Sequence, residues 1–127
     1  MPERSVAVLS ALASAPKGGV LFHCMGGRDR TGLIALLLLA AIDAEPDAIV
    51  DDYLDTVRLA GLRASTSNRN NAEPEIEALC ETYGTTTEGA FRATLAGLDL
   101  AALLASPALS AADKAALTSW RGRVQPA

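Results

Sequence analysis

The feature that most constrains the fold is a short glycine-containing segment that joins two apolar runs. Residues 20–23 (Val-Leu-Phe-His) have the composition of a β-strand, and the 11 residues from Gly32 to Ile42 are apolar enough to form a buried helix. Between them lies Cys-Met-Gly-Gly-Arg-Asp-Arg-Thr. A strand, a loop and a helix N-terminus in this order bind anions, because the first N–H groups of a helix lack partners within it. The sequence therefore predicts a strand-loop-helix core over residues 20–42.

The side chains of this loop match what the cleavage of a phosphate ester requires. The exposed N–H groups of the loop are predicted to surround the dianion, and its two glycines permit the turn. The guanidinium of Arg30 can bind two phosphoryl oxygens. The same positive field favours the thiolate of Cys24, to which the Thr31 hydroxyl can donate a hydrogen bond. The predicted phosphate-binding residues are Met25, Gly26, Gly27, Arg28, Asp29 and Arg30.

The order His-Cys, five residues, Arg-Thr-Gly resembles the signature of the cysteine-based protein tyrosine phosphatases. The inner Gly-Arg-Asp-Arg-Thr-Gly is similar to the loop Gly-Lys-Asp-Arg-Thr-Gly of a bacterial subfamily that has lipid-phosphatase-like features. The resemblance implies that Cys24 is the nucleophile, Arg30 the phosphate clamp and Thr31 the partner of the thiolate. It also implies that His23 supports the cysteine backbone, and a buried structural histidine is favoured over a base or a metal ligand.

The resemblance leaves the role of Asp29 open. In the bacterial subfamily an aspartate inside the loop is the proposed general acid, whereas other tyrosine phosphatases bring the acid on a separate mobile loop. A neighbouring dianion favours the protonated carboxyl, and the two flanking arginines oppose it. Arg28 stands where the subfamily has lysine, so an inherited preference for phosphoinositides is also open.

The function that follows from the resemblance is the hydrolysis of phosphomonoesters, above all protein phosphotyrosine, through a phosphocysteine intermediate. Two alternatives stay open. The loop can bind phosphate without turning it over, or the chain can be a fragment that folds and acts only with a missing N-terminal half. Sulfur transfer is a more remote possibility, because Arg-Thr-Gly fits a phosphatase better.

The family implies an α/β fold, but this chain is predicted to be mostly helical, with one strand at residues 20–23. It resembles only the C-terminal half of a phosphatase domain, so residues 1–127 are interpreted as a single, incomplete domain. A lone strand would leave its backbone groups without partners. Residues 61–73 are predicted to form a mobile loop that contributes to an active-site lid, and residues 74–122 a series of C-terminal helices.

Helix signals mark the remaining segments. Residues 3–15 are predicted to be an amphipathic helix with Val6, Leu9 and Leu12 facing inward, and a second helix is predicted to start at Pro46. Residues 85–88 (Thr-Thr-Thr-Glu) resemble a capping box, and Ser110 is predicted to cap the last helix. Cys80 is interpreted as a core residue on an apolar helix face rather than as a redox partner of Cys24.

Charge and composition exclude several functions. The net charge is −4 and many acidic residues fall between positions 43 and 55, which disfavours a nucleic-acid partner. One histidine and two distant cysteines do not predict a metal site, and no cofactor is expected. The longest apolar run is too short to span a bilayer. Met1-Pro2-Glu3-Arg4 does not resemble an export signal, so a cytoplasmic location is expected, with secretion by a route without a signal peptide left open.

Overall fold

The computed structural model describes residues 2–120, and within that range the chain forms eight helices and no β-strand. The helices are α1 (Pro2–Ala13), α2 (Asp29–Ala41), α3 (Pro46–Arg58), α4 (Ala60–Ser67), α5 (Glu73–Thr82), α6 (Thr87–Ala96), α7 (Leu100–Leu104) and α8 (Ala111–Ser119). The final two residues of the predicted C-terminal helical region, 121 and 122, lie outside the described residues. The prediction of a mostly helical chain is confirmed.

The predicted strand at residues 20–23 is wrong. These residues carry no regular secondary structure, and the side chain of Leu21 is 90% exposed. A strand exists only where a neighbouring strand satisfies its backbone N–H and C=O groups, and residues 2–120 offer none. Residues 20–23 are rich in apolar side chains, but without a neighbouring strand they form an irregular segment and not a β-strand.

The chain divides into two compact units, of which the first comprises residues 2–45 and 99–120 of the described range. In this unit α1, α2, α7 and α8 pack against one another. The predicted inward stripe of α1 is confirmed, and three consecutive leucines in the middle of α2 are buried. The buried apolar residues of the first unit are Val6, Leu9, Leu12, Leu36, Leu37, Leu38, Leu109 and Leu117. Their burial anchors α2, the helix that follows the cysteine loop.

The start of α8 is fixed by reciprocal hydrogen bonds. Ser110 Oγ accepts from the Asp113 N–H at 3.0 Å, and Asp113 Oδ2 accepts from the Ser110 N–H at 3.0 Å. Ser14, just after α1, donates from its hydroxyl to Asp113 Oδ1 at 3.3 Å. The N–H of Ser110 and these hydroxyls hold the pKa of Asp113 below its ordinary value of 3.8. The predicted cap at Ser110 is thus confirmed, and it also connects α8 to the end of α1.

The second unit comprises residues 46–98. Here α3 packs on α4 and α6, and α5 packs on α6. Ile49 and Val50 of α3 are buried, and the rings of Tyr53 and Phe91 stack with centroids 4.0 Å apart. Buried Thr87 donates from its hydroxyl to Glu77 Oε2 at 2.7 Å, so this polar side chain has a partner.

Three local predictions in the second unit need correction. Most of the predicted loop over residues 61–73 is helical, because α4 continues to Ser67 and ends where Asn68 takes a left-handed φ of 52°. The cap of α6 is Thr86, which accepts from the N–H of Gly89 at 3.0 Å, and no glutamate completes a capping box. Leu79 and Tyr83 are 58% and 79% exposed, so the face of α5 that carries Cys80 is not a core stripe.

Candidate active site

Cys24 lies at the end of the irregular segment, where the chain turns into α2. Its Sγ accepts a hydrogen bond from the N–H of Gly27 at 3.2 Å. This turn requires a φ of +73° at Gly27, a conformation that residues with a side chain rarely adopt. The loop thus curls back over its own cysteine, and the thiol is half-buried rather than extended into solvent.

The surroundings of the thiol lower the pKa of Cys24 from 9.0 to about 6. The strongest cause is the side-chain hydroxyl of Thr31, followed by the N–H of Thr31, with smaller contributions from the N–H groups of Gly27 and Gly26. Partial burial of the sulfur acts in the opposite direction. With a pKa near 6, about nine-tenths of the population carries a thiolate at pH 7, which is the reactive form.

The Thr31 hydroxyl lies close to the sulfur of Cys24. Its Oγ1 atom is buried and has no hydrogen-bond partner of ordinary geometry among residues 2–120, yet it is close enough to dominate the pKa of Cys24. A buried hydroxyl without a partner is costly, so a negative sulfur that attracts it lowers the free energy of both groups. We interpret the orientation as one in which a small rotation of the hydroxyl completes a hydrogen bond to the thiolate.

The N-terminus of α2 supplies the remaining stabilisation. Arg28 occupies the N-cap position, and its side chain makes no capping hydrogen bond to the helix. The N–H of Thr31, in the first turn, is directed at the sulfur instead. A thiolate there has the favourable interaction that any anion has with the positive end of a helix. Sequence reasoning missed this N–H, because the predicted nest ended at Arg30 and the predicted helix began only at Gly32, whereas α2 begins at Asp29.

The two arginines of the loop differ in their surroundings. Arg28 donates from a guanidinium nitrogen to Asp29 Oδ1 at 2.8 Å; its side chain is 15% exposed and that of Asp29 is 78% exposed. Arg30 is exposed on the first turn of α2 and has no ion-pair partner among residues 2–120. Its charge is therefore available to a ligand at this end of the helix.

His23 precedes the nucleophile candidate and is exposed, so the expectation of a buried histidine is wrong. Its Nδ1 lies 3.2 Å from the carbonyl oxygen of Cys24, a distance at which a protonated Nδ1 donates a hydrogen bond. The geometry lets the ring hold the backbone at the cysteine. That supporting role stays a prediction.

The structure thus gathers part of the predicted set around the sulfur. Gly26, Gly27 and Thr31 each act on the Cys24 sulfur, whereas Met25 is 77% exposed. The described contacts do not join Arg30 or Asp29 to the sulfur. Within residues 2–120 no group of three or more His, Cys, Asp or Glu side chains is arranged to hold a metal ion. The same part of the chain contains no helix with the length and apolarity needed to cross a membrane.

Comparison with known proteins identifies the family of this chain. The model of the tyrosine phosphatase family matches residues 2–115, which is most of the chain. This chain belongs to the tyrosine phosphatase family. The prediction made from the His-Cys and Arg-Thr-Gly residues is confirmed at the level of the family.

Individual relatives match shorter segments. A provisionally named tyrosine-protein phosphatase of Cupriavidus necator is 36% identical over 85 residues, which cover 65% of this chain and 27% of the relative. The triple specificity protein phosphatase of Mycobacterium tuberculosis is 51% identical over 35 residues, covering 28% of this chain and 13% of the relative. A tyrosine-protein phosphatase of Nostoc commune is 46% identical over 46 residues, covering 36% and 16%.

The chain therefore spans at most about a quarter of the length of these curated relatives. No solved structure gives a significant match.

Proposed function

We propose that this chain hydrolyses phosphomonoesters, with protein phosphotyrosine as the principal substrate, through a phosphocysteine intermediate. The observation that carries the proposal is the Cys24 thiol at the N-terminus of α2, with a pKa lowered to about 6 by Thr31 and the loop N–H groups. A half-buried thiol that is ionised at neutral pH beside unpaired helix N–H groups is suited to attack an anionic phosphorus centre. Family membership supports the same chemistry.

In the proposed reaction Cys24 Sγ attacks phosphorus, and the bond from phosphorus to the leaving oxygen breaks. Arg30 binds two of the non-bridging oxygens and follows them as the phosphorus becomes trigonal bipyramidal. Asp29 gives a proton to the leaving oxygen. Water then attacks the phosphorus of the phosphocysteine and returns a proton to Asp29. The bond from phosphorus to Sγ breaks, phosphate leaves, and the Thr31 hydroxyl stabilises the departing thiolate.

The first test is phosphate release from para-nitrophenyl phosphate. Replacing Cys24→Ser is expected to abolish turnover, because serine is not ionised at neutral pH. The matched control is Cys80→Ser in the second unit, which is expected to keep full activity. Turnover that survives Cys24→Ser would exclude a phosphocysteine mechanism. The ascending limb of the pH-rate profile is expected near pH 6, where the thiolate forms.

The acid role proposed for Asp29 has its own test. Para-nitrophenolate leaves readily without a proton, whereas phenolate needs one. The Asp29→Asn variant is therefore expected to slow phenyl phosphate by about tenfold or more while changing para-nitrophenyl phosphate little. An equal loss on both substrates would assign the aspartate to binding or positioning instead.

The range of substrates is a separate question. One relative is named a triple specificity protein phosphatase, so phosphotyrosine, phosphoserine and phosphothreonine peptides and a phosphoinositide are the panel to compare. We expect the phosphotyrosine peptide to have the highest kcat/KM. We also propose a cytoplasmic location, which fractionation of cells expressing the chain would test.

A second candidate function is phosphate binding without turnover. Residues 20–23 precede the nucleophile but form no ladder, and Leu21 is 90% exposed. A loop on an unsupported segment can bind an anion and still hold the sulfur too loosely for catalysis. In that case vanadate would raise the melting temperature of the chain while no phosphate is released from any substrate. Recovery of turnover on adding an N-terminal segment of a relative would identify the missing support.

A further inference from the structure

The ion pair between neighbouring residues 28 and 29 conflicts with the roles proposed for its two members. Arg28 donates to Asp29 Oδ1 at 2.8 Å, so this oxygen is occupied as an acceptor in the ligand-free site. The same carboxyl is proposed to give a proton to the leaving oxygen, and it cannot contact that oxygen through an atom that accepts from a guanidinium. The ion pair therefore has to open before Asp29 can act in the proposed reaction.

The two partners also differ in how firmly they are held. The side chain of Arg28 is 15% exposed and that of Asp29 is 78% exposed. Arg28 lies at the N-cap of α2, directly before the first turn, in which the N–H of Thr31 is directed at the cysteine. A mostly buried guanidinium is held more firmly than an exposed carboxylate, so Asp29 can move away from Arg28 at little cost.

A phosphoryl dianion is a stronger competitor for that donor than a single carboxylate. Its three terminal oxygens match the planar guanidinium, and it carries more charge than Asp29. An entering dianion would also repel the neighbouring carboxylate. Both effects favour transfer of the Arg28 hydrogen bonds from Asp29 to the ligand.

We infer that Arg28 exchanges Asp29 for the phosphoryl group of the substrate, so that the Asp29 carboxyl is released toward the leaving oxygen only when the site is occupied. Arg28 then acts twice, as a phosphate-binding group and as the positioning residue for the acid. This inference rests on the proposed function, since it names what controls the acid of that reaction.

The exchange is tested with sulfate, a dianion that does not titrate near neutral pH and does not react with Cys24. Isothermal titration calorimetry gives its affinity for the chain and for Asp29→Asn, Arg28→Gln and the double variant. Removal of a competitor is expected to let Asp29→Asn bind sulfate roughly fivefold more tightly, whereas in the Arg28→Gln background the same change is expected to gain less than about twofold. The Arg28→Lys chain keeps the cation, so Asp29→Asn should again strengthen binding there.

Two outcomes would overturn the exchange. If Asp29→Asn weakens sulfate binding, the aspartate orients Arg28 toward the anion and does not compete with it. If Asp29→Asn has the same effect with arginine and with glutamine at position 28, the gain is only the loss of a negative charge. Circular dichroism of each variant shows whether the helices are retained, and Arg28→Lys serves where Arg28→Gln does not fold.

Turnover gives a second readout that a purely structural role of Arg28 would not produce. On phenyl phosphate, Arg28→Gln is expected to raise KM about tenfold while kcat stays well above that of Asp29→Asn, because the acid is already free. A fall of kcat to the Asp29→Asn level would also count against the exchange. The sulfate cycle needs no catalysis, so a chain that binds sulfate as expected but releases no phosphate would reject the proposed function and not the exchange.

Discussion

At the scale of single residues, the chemistry of this chain is concentrated in one thiol and the few groups that face it. Cys24 owes its low pKa chiefly to the Thr31 hydroxyl and secondarily to N–H groups of Thr31, Gly27 and Gly26. The sequence predicts that the arginines supply the positive field at the sulfur. In the structure Arg28 pairs with Asp29, and Arg30 is exposed to solvent. Short-range hydrogen bonds thus outweigh formal charge at the sulfur.

The dominance of the hydroxyl predicts the effect of removing it. In a Cys80→Ser background, where Cys24 is the only thiol, Thr31→Val is expected to raise the pKa of Cys24 from about 6 toward its ordinary 9.0. The rate of alkylation by iodoacetamide as a function of pH measures the change, since only the thiolate reacts. Alkylation near pH 7 should slow accordingly. Thr31→Ser, which keeps the hydroxyl, should leave the titration near 6, and a similar shift in both variants would contradict this assignment.

Two adjacent glycines offer a second contrast at this scale. Gly27 has a φ of +73°, while Gly26 has an ordinary φ, and a Cβ at either position would meet open space. Gly27→Ala is therefore expected to destabilise the chain by about 1 kcal/mol through backbone strain alone, and to raise the pKa of Cys24 as the Gly27 N–H moves. Urea unfolding measures the first effect. Gly26→Ala is the control and should change the free energy of unfolding little. Equal losses of stability in the two variants would show that the added side-chain volume, and not the backbone φ, causes the effect.

At the scale of elements, the position of the loop depends on how α2 is held by its neighbours. The buried middle of α2 packs against α1, α7 and α8, and the cap at the start of α8 also bonds to Ser14 after α1. The cap residue Ser110 was predicted from the sequence, because capping is a local interaction, whereas the reciprocal bond from Asp113 was not predicted. The hydrogen bond from Ser14, 99 residues away in the chain, was not.

The cap predicts a loss of stability on truncation. Ser110→Ala is expected to cost about 1 kcal/mol of unfolding free energy, since the Asp113 N–H loses its acceptor. The control is Ser119→Ala near the end of the same helix, where the hydroxyl only donates to the carbonyl of Ala115; a change within about 0.5 kcal/mol is expected there. Thermal and urea unfolding followed by circular dichroism would compare the two variants. If Ser110→Ala leaves the free energy of unfolding unchanged, the stabilising role of the cap is refuted.

At the scale of the whole molecule, the chain consists of two units that each bury their own apolar residues. The first unit contains the cysteine loop, and its helices α1 and α2 pack against the C-terminal helices α7 and α8. Helices α3 to α6 form the second unit. The interpretation of residues 1–127 as one domain did not anticipate this division. Nothing local marks it, because the segments of the first unit are brought together from the two ends of the chain.

Matched leucines test which parts of the first unit are buried. Leu37 of α2 is 1% exposed and Leu21 is 90% exposed. Leu37→Ala is expected to cost about 2 to 5 kcal/mol through lost burial and a residual cavity, whereas Leu21→Ala should change the unfolding free energy by less than about 0.5 kcal/mol. Chemical denaturation measures both. A large effect of Leu21→Ala would mean that the irregular segment is covered in solution, as a strand with a partner would be.

Much of the fold and of the site was determined by the sequence alone. The helices other than α4, the Ser110 cap, the inward stripe of α1 and the candidate roles of Cys24 and Thr31 follow from patterns within a few residues, because propensity, capping and loop chemistry are local. The order of residues 23–32 was sufficient to indicate the tyrosine phosphatase family.

Only the tertiary structure decided what depends on distant or precisely oriented partners. Residues 20–23 are not a strand, since a strand needs a neighbour that residues 2–120 do not supply. The pairing of Arg28 with Asp29 instead of with the sulfur depends on side-chain direction, which a sequence does not contain. The same holds for the Thr31 hydroxyl, whose closeness to Cys24 arises where the loop turns into a helix anchored by the buried leucines of α2.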